Sequence, residues 1–332
     1  MIGTRLALAL DEGGLILPAN GSCAVVKPTG GADLSLLSTD NTVIVQGFKP
    51  DFEIWCARGY RCVPELVDTF DVMVLCLPRS KSEARALIAK GARREGTLIV
   101  IDGQKTDGVE SILRAVRKRV DVAGLVTKAH GRLFWFIVPD EDLFADWGAG
   151  PALTATGFWS APGVFSADDI DPASALLASS LPEDLGARIV DLGAGWGYLT
   201  AHVLKRSDVE TVDLVEAEFM SIECAKRNVM DARAAFHWAD GTHWRAPQPV
   251  DTVVMNPPFH AGRMAEPELG QAFIRAAARM LASHGTLWMV ANRHLPYEDV
   301  LNTAFANVFE LGSDARFKLL SAKKPKRGAS LA

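Results

Sequence analysis

The sequence predicts an α/β protein built from two successive domains, each on a parallel sheet. In both halves, short apolar runs rich in β-branched residues alternate with helical patterns, which is typical of parallel sheets covered by helices on both faces. A stretch rich in glycine and proline, residues 139–172, separates the two series. The chain of 332 residues has room for two domains of ordinary size. We place them at residues 1–145 and 161–325, with a linker over 146–160.

Composition narrows the class of protein. Apolar residues make up 48% and charged residues 23% of the chain, as in an ordinary globular protein. The net charge of −5 argues against a protein that coats nucleic acid indiscriminately. The five scattered cysteines form no CxxC pair and no zinc-binding spacing, so we expect reduced thiols and no metal. No apolar run approaches the ~18 residues that cross a bilayer, and we expect a cytoplasmic protein without a membrane partner.

The first half contains three predicted strands, at Thr42–Val45, Val72–Leu77 and Leu98–Ile101. Between the second and the third, Ser80 or Ser82 can cap a helix that ends near Gly91. A further helix is predicted over Val109–Val120. The order strand, helix, strand, helix predicts a parallel sheet.

The second series has five predicted strands followed by a hairpin. The strands are Arg188–Leu192, Thr211–Val215, Ala234–Trp238, Thr252–Met255 and Thr286–Val290. Helical patterns cover Glu218–Val229 and Gln271–Leu281. Two more runs, Asn307–Leu311 and Phe317–Leu320, are joined by turn residues 312–315, which predicts an antiparallel hairpin. The second domain is therefore predicted as a mostly parallel, seven-stranded sheet that ends in a hairpin.

The clearest motif is a strand that ends in an acid and is followed by alternate glycines, Asp191-Leu192-Gly193-Ala194-Gly195-Trp196-Gly197. Glycine lets the backbone turn sharply and approach a ligand closely. Alternate glycines also occur in purely structural turns. The spacing differs from the Gly-x-Gly-x-x-Gly turn that holds a dinucleotide, and no Lys-Ser/Thr follows as in a triphosphate loop. A nucleoside without phosphates fits better.

Acidic residues also end the next two predicted strands. A carboxylate at Glu216 can accept hydrogen bonds from two ribose hydroxyls, and one at Asp240 can bind an adenine amino group. Each acid by itself is more often a solvated strand-end residue. Because the acids occur in step at successive strand ends, they indicate an adenosine site along the carboxyl edge of the sheet.

The fourth strand of this series runs into Asn256-Pro257-Pro258-Phe259-His260. Two prolines can simply end an edge strand, but these residues together suit one chemical task. An amine conjugated to a ring is a poor nucleophile, and the Asn256 side-chain oxygen and the Pro257 carbonyl can each accept one of its N–H groups. The prolines hold these acceptors in place, and Phe259 can stack on the ring. We predict Asn256, Pro257 and Phe259 as catalytic residues for methylation of an exocyclic amine, and His260 is not required as a base.

Taken together, these features resemble the bacterial 16S ribosomal RNA guanine-N2 methyltransferases, whose chains carry two tandem methyltransferase-like domains. The resemblance covers nearly the whole chain and is strongest from Gly157 onward. Besides the two motifs above, it rests on segments Pro78–Ala84, Pro162–Ser166, Asp168–Asp171, Val290–Asn292, Leu295–Leu301 and Arg316–Lys318. The loop Ala261–Pro267 departs from the family's usual Gly/Thr/Ser-bearing loop.

The resemblance implies two tandem Rossmann-like class I methyltransferase domains, the first degenerate and the second catalytic. The first sequence half agrees, since residues 46–50 after Val45 contain no glycine array. The implied cofactor is S-adenosyl-L-methionine. The implied target is the N2 amine of a guanine in small-subunit ribosomal RNA, either as free RNA or within the assembled subunit. The enzyme is expected to be a monomer. The cofactor-binding residues implied are Phe165, Asp191, Gly193, Ala194, Gly195, Glu216, Asp240 and Asn256.

Two other functions compete with this one. Methylation of a protein glutamine amide uses the same acceptor chemistry as methylation of a base amine. A non-catalytic RNA-binding or ribosome assembly factor would keep the fold with a relic pocket. The intact glycine turn, strand-end acids and Asn256 argue against such decay.

Basic residues cluster in the first domain, along one predicted helix and its exit and at the end of the next helix. They are Arg79, Lys81, Arg85, Lys90, Arg93 and Arg94, then Arg114, Arg117, Lys118 and Arg119. Such runs are often only solvated faces. A domain without its own chemistry can serve recognition, however, because lysine and arginine hold RNA through its phosphates. We therefore expect the first domain to help hold ribosomal RNA.

Overall fold

The computed structural model describes residues 2–258, 260–261, 264–265, 267–313 and 315–326. The chain divides into two compact units. Residues 1–151 and 161–163 form the first domain, and residues 152–160 and 164–332 form the second. Within the segment expected to be a linker, Ala152–Leu153 pairs with Trp159–Ser160 as a short hairpin of the second domain.

The first domain carries four α-helices and seven strands over its described residues. They are α1 (Ile2–Asp11), β1 (Cys23–Val26), β2 (Thr42–Val45), α2 (Lys49–Ala57), β3 (Arg61–Val63), β4 (Val72–Cys76), α3 (Lys81–Gly91), β5 (Leu98–Gln104), α4 (Val109–Val116), β6 (Gly124–Lys128) and β7 (Gly131–Ile137). The strand order is β3-β2-β1-β4-β5-β7-β6, parallel except for β7, which runs antiparallel to β5 and β6. Single 3-10 turns lie at Lys105–Asp107 and Ala145–Trp147.

The second domain repeats this arrangement. Its elements are β8 (Ala152–Leu153), β9 (Trp159–Ser160), α5 (Pro172–Ser180), β10 (Arg188–Leu192), α6 (Tyr198–Val203), β11 (Thr211–Glu216), α7 (Phe219–Asn228), β12 (Ala234–Trp238), β13 (Val250–Met255), β14 (His260–Ala261), β15 (Met264–Ala265), α8 (Pro267–Met280), β16 (Leu281–Asn292), α9 (Glu298–Ala304), β17 (Phe305–Ser313) and β18 (Phe317–Pro325). The order β12-β11-β10-β13-β16-β18-β17, with the antiparallel pair β17–β18 at its end, confirms the predicted sheet and closing hairpin.

The predicted strands and helices are present, with shifted ends, but the central strand of the first sheet was missed. β1 is the run Cys-Ala-Val-Val, and it pairs with β2 on one side and β4 on the other. All four residues are buried, because helices cover both faces of a parallel sheet. A short run without polar alternation gives little signal in the sequence, and the hairpin β6–β7 was missed as well.

Apolar residues of the described chain form two clusters in each domain, and alternate residues of a strand point into different clusters. Along β1, Cys23 and Val25 face one cluster, while Ala24 and Val26 face the other. Along β10, Ile189 faces one cluster and Val190 the other. This alternation fixes the register of each strand, because a slip of one residue would exchange its two faces.

A buried ion pair attaches α1 to the first sheet. Arg5 Nε donates to Asp102 Oδ1 at 2.5 Å and its Nη2 donates to Asp102 Oδ2 at 2.8 Å. A third N–H of Arg5 donates to the Lys128 carbonyl of β6 at 3.2 Å. Arg5 is 1% exposed, so this charge is balanced within the protein and not by water. A bidentate pair with further hydrogen bonds is the arrangement that compensates such desolvation.

None of the described helices has the length and apolar character needed to span a bilayer.

Replacing Arg5 should destabilise the first domain strongly. Arg5→Met leaves the Asp102 carboxylate buried without its partner, which typically costs about 3–5 kcal/mol. Urea unfolding followed by tryptophan fluorescence measures the change. The matched control is Arg94→Met, because Arg94 pairs with Asp71 where both side chains are more than 40% exposed, and such pairs contribute roughly 0–1 kcal/mol. Equal decreases in the free energy of unfolding of the two variants would show that the buried pair stabilises the protein no more than the exposed pair.

Candidate cofactor and substrate site

The glycine turn connects β10 to α6 through three residues in the left-handed backbone region. Gly193, Gly195 and Gly197 have φ angles of 77°, 55° and 89°, a left-handed region that residues with a Cβ adopt at a cost. At Gly197 a Cβ would also lie 3.0 Å from Val229, so packing excludes a side chain there. A Cβ at Gly195 would meet no atom within 4 Å. Gly195 therefore presents its backbone to open space, as a cradle for a ligand requires.

Asp191 lies completely buried behind this turn. Its Oδ2 accepts hydrogen bonds from the Thr200 backbone N–H at 3.0 Å and hydroxyl at 2.7 Å. Its Oδ1 has no hydrogen-bond partner among the described residues. Burial raises the pKa of the Asp191 carboxyl to about 7, against the hydrogen bonds from Thr200, and the nearby Glu216 adds to the rise. A buried carboxyl with a strongly perturbed pKa beside a cleft is a candidate for electrostatic attraction of a cationic ligand.

Glu216, the last residue of β11, supports the turn. Its Oε2 accepts the Gly195 N–H at 2.9 Å, and its Oε1 accepts the Glu218 N–H at 2.8 Å. Burial raises the pKa of this carboxyl. The Ala217 backbone N–H also hydrogen-bonds to this carboxylate. A carboxylate has about four acceptor positions, so Glu216 retains capacity for a ribose hydroxyl.

Asp240 follows β12 and is engaged locally. Its Oδ1 accepts from the Thr242 N–H at 2.8 Å and hydroxyl at 2.6 Å, and its Oδ2 lies 2.8 Å from His243 Nδ1. Burial opposes ionisation, but the hydrogen bonds from Thr242 and His243 hold the pKa of Asp240 below its usual range. The structure therefore places Asp240 in a tight turn in which both of its oxygens already have partners.

A cleft of about 400 Å³, including its open mouth, lies over the glycine turn. Phe165 lines its rim with 56% of its surface exposed, and the Phe165 carbonyl accepts a hydrogen bond from Trp196 Nε1 at 3.0 Å. The volume is within the range of small-molecule pockets. The lining residues are Phe165, Ser166, Asp171, Ser174, Gly193, Ala194, Gly195, Trp196, Tyr198, Leu199 and Asn256. Of the predicted cofactor residues, the cleft unites Phe165, Gly193, Ala194, Gly195 and Asn256, whereas Asp191, Glu216 and Asp240 are not among its described lining residues.

Asn256 follows β13 and is oriented by the start of α5. Its amide Nδ2 donates to Asp171 Oδ2 and to Ser174 Oγ, both at 2.9 Å. Asp171 caps α5, because the same Oδ2 also accepts the Ser174 backbone N–H at 2.8 Å. Both N–H donors of the Asn256 amide are thus engaged, and the carbonyl end of the amide points away from α5. Sequence reasoning missed Asp171 and Ser174 as site residues, although Asp171-Pro172 is a recognisable helix-start signal.

Besides Asn256, the structure describes the two prolines of the Asn-Pro-Pro-Phe motif. Pro257 is buried and Pro258 is exposed. Pro258 lies near the glycine turn, with its Cδ 3.9 Å from the position of a Cβ at Gly193. The backbone of His260 pairs with Ala265. Phe259, predicted to stack on the target ring, lies outside the described residues.

The first domain has different residues at the positions equivalent to this site. Val26 and Leu192 end β1 and β10 and face corresponding apolar clusters, so the registers of the two sheets can be matched. The matched pairs are Val25 with Asp191, Lys27 with Gly193, Gln46 with Glu216 and Cys76 with Asn256. The sequence analysis looked for the first-domain counterpart of the glycine turn in residues 46–50, after β2. That position is wrong, because the matched registers place the counterpart directly after β1. There the Pro28 carbonyl accepts hydrogen bonds from Gln46 Nε2 at 2.8 Å and Trp55 Nε1 at 3.1 Å.

No group of three or more His, Cys, Asp or Glu side chains suited to a metal occurs in the part of the chain that the structure describes.

One protein family and several known proteins are similar to this chain. The sequence model of the methyltransferase small domain family matches residues 155–321. Ribosomal RNA small subunit methyltransferase C of Hahella chejuensis is 28% identical over 321 residues, 92% of each chain. That of Actinobacillus succinogenes is 30% identical over 261 residues, 76% of this chain and 78% of the relative. A T. thermophilus 16S rRNA N2 guanine methyltransferase (RsmC), solved in complex with AdoMet and guanosine, matches with a TM-score of 0.76 and 25% identity, over 94% of this chain and 90% of that chain.

Asp191→Asn should make the ligand-free protein more stable at neutral pH. The Asp191 pKa is raised from 3.8 to about 7, so the folded state binds more protons than the unfolded state between these values, and the stability contributed by this group falls as pH rises through that window. The uncharged amide escapes this loss. The melting temperature of the variant should therefore exceed that of the wild type at pH 8, and the difference should shrink towards pH 4–5.

The same variant should bind S-adenosylmethionine poorly, so the ligand should raise the melting temperature of the wild type much more than that of Asp191→Asn. The matched control is Asp208→Asn at an exposed position, which should follow the wild type in both respects. A difference in melting temperature that does not vary with pH, or full cofactor affinity in the variant, would contradict the role assigned to the Asp191 charge.

Proposed function

The chain belongs to the ribosomal RNA small subunit methyltransferase C family, and from this premise we propose that it methylates the exocyclic N2 amine of a guanine in small-subunit ribosomal RNA. The predicted family, the two-domain α/β methyltransferase fold, the methyltransferase activity and the cofactor S-adenosylmethionine are confirmed by these relatives and by the T. thermophilus structure.

The observation that carries the assignment is the orientation of the Asn256 amide. Asp171 and Ser174 engage its two N–H donors, so the amide presents its carbonyl oxygen as an acceptor. Rotating the amide by 180° would direct this oxygen towards the Asp171 carboxylate, an unfavourable contact between two acceptors. The side chain is therefore fixed for accepting an N–H group before the substrate arrives, and preorganised groups of this kind contribute strongly to catalysis.

The chemistry of the target requires such an acceptor. The lone pair of the guanine N2 amine is delocalised into the ring, so the amine attacks only weakly. Asn256 Oδ1 accepts one N–H of this amine, and the Pro257 carbonyl accepts the other. Both hydrogen bonds increase electron density on the nitrogen and hold its lone pair in line with the methyl group. Orientation of this kind can contribute roughly 7–11 kcal/mol, and the methylated amine then releases its proton to solvent.

The donor side of the site is built by the glycine turn and the buried acids. When bound, S-adenosylmethionine supplies an electrophilic methyl group on a positively charged sulfur, whose C–S bond breaks as the N–C bond forms. The open backbone at Gly195 lets the cofactor approach closely, and Glu216 holds that backbone in place while offering its remaining acceptor capacity to a ribose hydroxyl. Asp191 supplies negative charge behind the turn. The open space at Gly195, in the wall of the cleft, fits such a cofactor.

The activity should be tested with purified protein and labelled S-adenosylmethionine, using both a 16S ribosomal RNA transcript and isolated small ribosomal subunits as substrates. We expect the label in RNA, recovered as N2-methylguanosine by nucleoside mass spectrometry. The inactive control is Asn256→Ala. Label recovered on protein glutamine would favour the competing amide methyltransferase. Cofactor binding without transfer to either substrate would favour a non-catalytic assembly factor.

Substitutions at Asn256 and Ser174 should separate chemistry from cofactor binding. Asn256→Ala should lower kcat by ~10²–10³, comparable to the loss of one oxyanion-hole donor. Ser174→Ala removes one of the two acceptors that orient the amide, and kcat should fall by about tenfold, since one neutral hydrogen bond contributes roughly 0.5–1.5 kcal/mol. Single-turnover rates and calorimetric titration of the cofactor provide both readouts. Normal turnover in Asn256→Ala, or a Ser174→Ala effect confined to KM, would refute this division of roles.

A further inference from the structure

The first domain has an open cleft of about 860 Å³ between α3, the end of α4 and the turn that carries Trp147. Five of its lining residues are cationic. Lys81 and Arg85 stand one helical turn apart on α3, and residues four apart lie on one face of a helix. Arg114 lies in the last turn of α4, and Lys118 lies in the turn that follows it. Both segments contribute two of these cations to the same space, which we call the basic cleft.

The floor of the basic cleft holds two of its cations in place. The Arg85 guanidinium lies over the Trp147 ring at 5.1 Å, and that of Arg119 lies over the same ring at 4.7 Å. Asp146 pairs with Arg119 through both oxygens, at 2.6 and 2.7 Å. The charge of Arg119 is therefore neutralised within the protein, and this residue has a structural role.

Among the described residues, the other four cations of the basic cleft, Lys81, Arg85, Arg114 and Lys118, form no ion pair. Asp146, which pairs with Arg119, also attracts Arg85 without forming an ion pair with it. The Nε of Arg85 is buried without a hydrogen-bond partner. Like charges held together repel one another, and a buried guanidinium N–H without an acceptor costs free energy. An anionic ligand in the cleft would relieve the repulsion between the cations.

The other basic residues of the two clusters predicted from the sequence do not line this cleft. Lys90 pairs with Glu65 at 2.5 Å, and Arg94 pairs with Asp71 at 2.6 Å. Arg93 donates to the backbone carbonyls of Lys90 and Val67, at 2.9 and 3.0 Å. These residues fasten the exit of α3 and do not line the basic cleft. Arg79 and Arg117 are exposed and lie outside its lining.

We propose that the basic cleft is a binding site for the phosphate backbone of RNA, built by Lys81, Arg85, Arg114 and Lys118. The proposal rests on the function proposed above, which makes RNA the substrate. Trp147 is 7% exposed and lies beneath two guanidinium groups, so it offers no surface on which a base can stack. A site of cations without a stacking platform binds phosphates and positions the RNA without reading its sequence.

The test compares two triple variants with the same loss of charge. Lys81→Gln, Arg114→Gln and Lys118→Gln together remove exposed cations of the basic cleft and keep Arg85 on Trp147. The control combines Arg61→Gln, Lys105→Gln and Lys128→Gln, which are exposed in the same domain but outside the cleft. Filter binding of a 16S ribosomal RNA transcript is measured for both variants and the wild type across a salt series.

The cleft variant should bind the transcript at least tenfold more weakly at low salt. Its plot of log affinity against log salt should lose about two to three in slope, because each phosphate contact contributes roughly 0.7–0.9. The control variant should keep most of the wild-type slope, and both variants should bind S-adenosylmethionine normally. Equal effects in the two variants would show that only net charge matters and would overturn the proposal.

Two further measurements separate the possible failures. If the wild type binds inorganic pyrophosphate tightly at physiological salt while the cleft variant keeps full RNA affinity, the cleft holds a small anion and the proposal is wrong. Methyl transfer to RNA at saturating concentration is followed in parallel. A cleft variant that methylates and binds RNA like the wild type overturns this inference alone, whereas a wild type that methylates no RNA overturns the proposed function.

Discussion

The pairing of β10 with β13 is the constraint on which the candidate site depends. The sheet grows from β10 through β11 to β12 in one direction and from β13 to β16 in the other, so the chain reverses its strand order between β10 and β13. Ligands of open α/β sheets bind where the order reverses, at the carboxyl ends of the strands. Asp191 is paired with Val254, two residues before Asn256. The register therefore brings the glycine turn and Asn256 to one cleft.

This arrangement has a cost in stability that the first domain does not carry. Asp191 and Glu216 are acids in surroundings that raise the pKa of both, and each raised pKa reflects unfavourable burial of charge. The equivalent residues of the first domain, Val25 and Gln46, bring no charge into the same place. Gln46 also satisfies its amide within the protein by donating to Pro28. The second domain thus keeps buried acids at positions where the proposed cationic cofactor would compensate for their charge, whereas the equivalent positions of the first domain hold uncharged residues.

Sequence reasoning found what local patterns determine and missed what depends on distant contacts. The alternation of strands and helices, the glycine turn and the strand-end acids are all local features, and the strands that carry them lie within a few residues of their predicted bounds. The partners of Asn256 were missed because Asp171 lies 85 residues away in the sequence, and helix-cap signals do not show what else a cap contacts. The basic residues were grouped by position along the chain, whereas ion pairs with Glu65, Asp71 and Asp146 show which of them have a structural role.

The two domains share one fold but differ in the sign of their unsatisfied charge. The strand order is the same, so the differences lie in side chains at equivalent places and in the loops. The second domain holds its unsatisfied charge as buried acids at the sheet edge, where a single small ligand can reach it. The first domain holds its unsatisfied charge as cations on the outer surfaces of α3 and α4, where an extended polyanion can lie across them. A fold does not determine function. A doubled fold can nevertheless divide one task, because polar groups at this edge of the first sheet, such as Lys27 and Gln46, are satisfied within the domain, while its helices present charge at the surface.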